Sequence, residues 1–405
     1  MLVFAHARVA TMSGAQALSG DGPLGLIEDG AVAWDGERIV YVGPSSGAPP
    51  GEVIDAAGAL LTPGFVDAHT HLVFAGDRAQ EHAQRLAGTS YLEIARQGGG
   101  IRSTVRATRA AGDAQLLSGA VSRLRRMLAS GVTTVEVKTG YGLSVSEELR
   151  MLRIALRAGS DSGCSVMPTL LGLHAIPEEL SREIWLSAVL HELLPEAARL
   201  GARGCDAFCE QGAFTLDECR QALSLGLHLG LVAHLHADQL SDSGGAALAA
   251  ELGCASADHL ERASPSGIAA MARAGTAAVL LPLAAWFLRD TPARAAPFLE
   301  AGVTVALASN LNPGSQRMES VSMLLAAGCL FCGLTPAQAL WACTAGGARA
   351  LRLSDRGVLA PGLRADLVLF DTRDPAHLPY HAGVEHARIV IAAGKPVIQR
   401  TGECL

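Results

Sequence analysis

The chain carries 13 histidines, and several stand where imidazoles can act together. In PGFVDAHTHL, His69 and His71 are separated by one residue at the end of an apolar run. Side chains of extended chain repeat with period two, so both imidazoles face one side and can share a metal ion. LVAHLHADQ repeats this spacing with His234 and His236. Period alone does not choose between them; His236, nearer the end of its run, is the expected third ligand, and His234 is read as a deeper layer. His259 closes SADHL and is open to three roles: metal ligand, substrate contact or proton shuttle. Glu210 after CDAFC, and Gln239 three residues past His236, are candidates for gripping polar substrate atoms or orienting water. Lys138 closes VTTVEVK and fits a carboxylated bridging ligand, a substrate contact or an ion-pair partner. One compact ligand set favours one metal ion.

These residues share a context, because each ends an apolar run. The runs are GFVDAH, VTTVEVK, CSVMPTLL, CDAFCE, LVAHLHA, SADHL, AAVLLPL and VTVALAS, with helical stretches such as LSGAVSRLRRMLASG and SEELRMLRIALRAG between them. The third leads to His174; the last leads to Ser309, Asn310 and Asn312. Alternating strands and helices of this number predict an α/β fold, a (β/α)8 TIM-like barrel with its site at the C-terminal strand ends. Periodicity alone also fits a doubly wound sheet. Both ends of the chain are β-rich, with an Asp35-Gly36 hairpin signal in the first 60 residues. We expect residues 1–61 and 355–405 to form one small β-sandwich domain, and residues 62–354 to form the barrel.

A net charge of −7 without any Lys/Arg block excludes the electrostatic footprint of a nucleic-acid binder. No apolar run reaches the roughly 18 residues of a membrane span. With 49% hydrophobic and 18% charged residues in 405, disorder is excluded too. Nine cysteines lack framework spacing, and the CxxC at Cys329 and Cys332 sits in an apolar run, so packing in a reducing compartment is expected. The start MLVFAHARVATMSG has no signal-like stretch, and the expected location is the cytoplasm. The expected partner is a small-molecule substrate, with no nucleic acid or membrane, and a homodimer is left open.

Taken together, PGFVDAHTHLVFAGDR, RLAGTSYLEIARQGGGIRSTVRATR, TTVEVKTGYGL, LLGLHAIP, DAFCE, LHADQ, SADHL, NPGS and HLPYH resemble the imidazolonepropionase family of the amidohydrolase superfamily, over nearly the whole chain. The resemblance implies hydrolysis of 4-imidazolone-5-propanoate to N-formimidoyl-L-glutamate in histidine degradation, with one zinc or iron ion. It implies that Arg78 clamps the propanoate and that Tyr141, His174, Gln239, Asn312, Gly314 and Ser315 line the substrate pocket. It also exposes a departure. After the eighth run the family carries an Asp that completes the metal site and accepts the proton of the attacking water, and here LASNLNPGS puts Asn310 in that position. A neutral amide can still offer an oxygen to metal but cannot accept that proton near neutral pH. His259 and Glu210 are the candidate substitutes. The alternatives are an engineered substitution, a natural variant with its base relocated, or a homologue with lost or altered activity.

Overall fold

The computed structural model describes residues 1–17, 19–89, 93–94 and 98–400. Five strands precede the barrel: β1 (Leu2–Ala10), β2 (Leu26–Asp35), β3 (Arg38–Pro44), β4 (Glu52–Asp55) and β5 (Leu60–Pro63). The eight sequence-predicted runs become β6 (Phe65–Asp67), β7 (Val132–Lys138), β8 (Ser165–Leu173), β9 (Gly204–Cys209), β10 (Val232–Ala237), β11 (Ser256–His259), β12 (Ala277–Leu280) and β13 (Val305–Leu307). Three strands follow: β14 (Leu367–Phe370), β15 (Ala387–Ala392) and β16 (Lys395–Gln399).

Strands β6 to β13 pair in sequence order, every pair parallel. The ring closes just beyond the strands, through a bridge between Thr70 and Leu311. There the backbone N–H of Asn310 donates to the His69 carbonyl at 2.9 Å, and that of His71 to Leu311 at 2.9 Å. Barrel closure therefore sets the HxH segment against the Asn310–Asn312 segment. Outer helices carry strong local signals. Ser144 caps the helix Val145–Ser162, which ends on Gly163 in the left-handed region, and Thr215 with Glu218 forms a capping box on the helix Leu216–His228.

The terminal strands join in one continuous sheet, ordered β16-β15-β14-β5-β1-β2-β3, with β4 also paired to β1. Both ends of the chain meet where β14 runs antiparallel to β5. The β2-β3 turn carries Gly36 at a φ of 53°, as the Asp-Gly signal requires. Period-two alternation divides β14 between two cores: Leu367 and Leu369 pack with Phe4, Trp34 and Ile39, whereas Val368 and Phe370 belong to the core that continues into the barrel. The eight described cysteines are all unpaired; Cys332 is buried and Cys329 half-buried, as packing residues are.

Candidate active site

Inside the barrel lies a fully buried charged network that the strands position from below. Lys138 Nζ is 2.9 Å from Glu136, 2.7 Å from Asp206 Oδ2 and 3.4 Å from Asp258 Oδ2. Lys138 is thus an ion-pair partner and does not line the cavity. Burial opposes its charge, but the three carboxylates overcome that and hold its pKa above the ordinary value. One ammonium cannot neutralise three carboxylates. Burial accordingly pushes Glu136 up to about 8 against the pull of Lys138, and its Oε1 also accepts a hydrogen bond from Thr169 at 2.6 Å. For Asp206, burial is outweighed by His236 and Lys138, and its pKa is held well below the usual carboxylate range.

The same carboxylates aim the histidines. His69 donates from Nδ1 to Asp258 Oδ2 at 2.6 Å, and His236 Nδ1 lies 2.9 Å from Asp206 Oδ2. A ring whose Nδ1–H faces a carboxylate presents an unprotonated Nε2 on its other side. The Nε2 atoms of His69 and His71 are 3.3 Å apart, and those of His71 and His236 are 3.4 Å apart. Two imidazole nitrogens bound to one tetrahedral ion at about 2.0 to 2.1 Å stand about 3.3 Å apart, so each of these two pairs has the spacing of ligands on one metal ion. Burial, together with neighbouring cationic groups, holds His69 and His71 far below the usual imidazole pKa, which keeps their lone pairs free. His234 lies a layer deeper, its Nδ1 3.0 Å from Ser256 Oγ.

His259 joins this cluster: one nitrogen each of His69, His236 and His259 lie within 4.8 Å of one another. Its backbone φ of 80° is left-handed, costly for a non-glycine residue and often associated with function. Glu261 Oε2 stands 3.6 Å behind its Nδ1. Asn310 also adopts a left-handed φ, 55°, which asparagine tolerates, and its side-chain oxygen accepts from Asn312 Nδ2 at 3.1 Å.

Above the histidines opens a cavity of about 980 Å³. Its walls include His71, His236 and His259 and, among the expected substrate contacts, Arg78, Tyr141, His174, Gln239, Asn312, Gly314 and Ser315, together with Asn310. His174 donates from Nδ1 to the Gly140 carbonyl at 2.9 Å, while burial lowers its pKa to about 4, so its Nε2 is an acceptor at neutral pH. Gly140 has a φ of +110°, and a Cβ there would stand 2.5 Å from His174 Nδ1, which accounts for the glycine after Lys138-Thr139. Burial raises the Tyr141 phenol, leaving it a hydrogen-bond donor. Gly314 makes room for Arg78, whose Nη1 would lie 2.2 Å from any Cβ at that position; Arg78 itself is anchored through Nε to Glu81 at 2.8 Å.

Two expectations change. Glu210 is absent from the cavity wall, because β9 ends at Cys209 and the chain turns; its oxygens accept instead from Gln211 N at 2.8 Å, Leu240 N at 2.8 Å and Ser241. It secures the loop after β10 and has no free position for proton transfer. Asn312 reaches the wall but spends its amide internally, accepting from Gly314 N and Ser315 N and donating to Asn310 and Ser315. Sequence reasoning missed Asp206, Asp258 and Glu136. The signal was present in acidic residues within apolar runs, since a buried carboxylate needs a partner.

The amidohydrolase family profile matches residues 60–398. An imidazolonepropionase of Anaeromyxobacter sp. (strain K) is 50% identical over 412 residues, covering 98% of this chain and 96% of its own. One from Myxococcus xanthus (strain DK1622) is 49% identical over 376 residues, covering 90% and 89%. In solved structures the fold recurs in a 5-methylcytosine deaminase from Klebsiella pneumoniae, at a TM-score of 0.76 and 18% identity over 100% of this chain and 98% of that one. An adenosine deaminase from Xanthomonas campestris with bound zinc gives a TM-score of 0.76 at 21% identity, covering 98% and 93%. The histidine cluster and the family match together support a metal cofactor. By sequence along almost its entire length, the chain belongs to the imidazolonepropionases of the amidohydrolase family.

Proposed function

We propose that the chain hydrolyses the cyclic amide of 4-imidazolone-5-propanoate to N-formimidoyl-L-glutamate, a step of histidine degradation in the cytoplasm, using one zinc or iron ion. The observation that carries the reading is that the Nε2 atoms of His69 and His236 both stand against that of His71, and that His71 and His236 line a cavity that Arg78 also lines. Those three histidines hold the ion, with the neutral carbonyl oxygen of Asn310 as the candidate fourth donor. When bound, the ion polarises the amide carbonyl and lowers the pKa of water towards neutrality.

The remaining work falls to the protein. Arg78 takes the propanoate, a charge-assisted pair that fixes the ring's orientation. Tyr141 donates and His174 Nε2 accepts, which suits a heterocycle carrying both kinds of polar atom. Hydrolysis adds hydroxide to the carbonyl carbon and returns a proton to the departing ring nitrogen, so one group must move a proton. With Asn310 unable to accept it and Glu210 turned away, we assign that task to His259, whose Nδ1 has Glu261 Oε2 3.6 Å behind it. A steady-state assay of product formation from 4-imidazolone-5-propanoate, with the unmodified chain beside His259→Ala, tests this: activity that survives the substitution would remove His259 from the proton path.

A further inference from the structure

A second histidine cluster lies away from the barrel mouth, in the connection from β14 to β15. The sequence HLPYHAGVEHA puts His377 and His381 four residues apart across the short helix His377–Tyr380, a spacing that stacks side chains on one face, and brings His386 in just before β15. The ring centroids are 5.4 Å apart for His377–His381, 5.4 Å for His377–His386 and 5.1 Å for His381–His386. One nitrogen of each lies within 4.8 Å of the other two.

Three details distinguish this cluster from a chance gathering. His386 is buried, and its Nδ1 lies 2.9 Å from Asp371 Oδ1, the carboxylate-histidine arrangement that orients metal ligands. Its Nε2 lies 3.1 Å from the His381 carbonyl oxygen, so the ring stands directly against the residue that would share an ion with it. His377 Nε2 is buried and has no hydrogen-bond partner among the described residues. His381, by contrast, is exposed, which leaves the site an entrance and a side chain free to close on an ion.

We propose that His377, His381 and His386 form a second metal site, separate from the barrel histidines, for a borderline divalent cation such as Zn²⁺. An ion there would staple the connection between two strands of the terminal sheet. At present that connection is tied to the helix Val321–Ala327 through Ser322 Oγ, which accepts from Gly383 N and donates to the Val384 carbonyl, both at 3.0 Å.

The test is equilibrium dialysis of the tag-free full chain against Zn²⁺, followed by elemental analysis. Two ions per unmodified chain are expected, with one lost in His381→Ala and in His377→Gln and the other lost in His69→Ala. Asp371→Asn should weaken the second site about 10-fold to 100-fold. His381 is exposed, so its removal leaves the fold intact, which circular dichroism verifies. A single ion that only His69→Ala removes would overturn this proposal and leave the barrel site standing; a single ion that only His381→Ala removes would do the reverse. Two ions unaffected by both His381→Ala and His377→Gln would mean adventitious binding elsewhere and would also overturn it.

Discussion

Lys138 and Asp206 form an ion pair of 2.7 Å with both side chains wholly buried, and Asp206 in turn stands 2.9 Å behind the ring of His236. Since Lys138 also reaches Asp258, the partner of His69, one cation underlies the orientation of two proposed ligands. Replacing it with methionine leaves three carboxylates buried with no cation. Such a loss typically costs about 3 to 5 kcal/mol of stability, and disturbed partners of metal ligands typically lose about 10-fold to 100-fold in metal affinity. Chemical denaturation and zinc titration of Lys138→Met should show both; an unchanged zinc affinity would reduce the lysine to a purely structural role.

Arg78→Ala should lower kcat/KM by about 2 kcal/mol, roughly thirtyfold, mostly through KM, because the propanoate takes no part in bond breaking. The loss should shrink for a substrate analogue without the carboxylate. Gly314→Ala should mimic it by displacing the guanidinium, although it removes no charge. Equal losses for both compounds would contradict the clamp.

Much of this was legible from the sequence for a simple reason: barrel strands are buried runs, and functional residues must sit at their ends, so eight runs declare the fold and the polar side chains that follow seven of them point to the candidate site. His236 could be preferred over His234 on position alone, and the structure places its Nε2 facing His71. Legibility failed where strand periodicity stops. Glu210 continues the alternation of Asp206 and Phe208 on paper, but β9 ends one residue earlier and the turn carries the carboxylate to the next loop. The buried network was hidden for another reason, since pairing Lys138 with Asp206 and Asp258 depends on contacts between strands that spacing along one strand does not reveal. The continuity of the terminal sheet likewise rests on a β5-β14 pairing across some 300 residues of chain, beyond any local signal.

Asn310→Asp separates two accounts of proton transfer. If His259 has taken over the task, the substitution changes turnover little while His259→Ala reduces it by about a hundredfold to ten-thousandfold. If the site is impaired, Asn310→Asp raises turnover over a similar range and also tightens metal binding, because an anionic oxygen then faces the dication. Side-by-side kcat and metal-affinity measurements on the two variants decide between them.

The metal-free protein should lose stability as pH falls through the histidine range. Burial depresses His174 to about 4 and His234 to about 3, whereas in the unfolded chain each titrates near 6.5. Between those values the unfolded state binds more protons, so the stabilisation is fully present above about pH 6.5 and is lost on acidification until about pH 3 to 4. Urea midpoints across that range should fall with pH, and less so in His234→Gln.

The central claim is that hydrolysis of the cyclic amide depends on a metal held by His69, His71 and His236. Product formation from 4-imidazolone-5-propanoate should be followed while the chelator-treated chain is titrated with zinc or iron, beside His71→Ala treated identically. The account predicts no turnover without metal, restoration as the metal is added, and none at any metal concentration in His71→Ala. Turnover that persists after chelation, or that metal restores equally in His71→Ala, would contradict it.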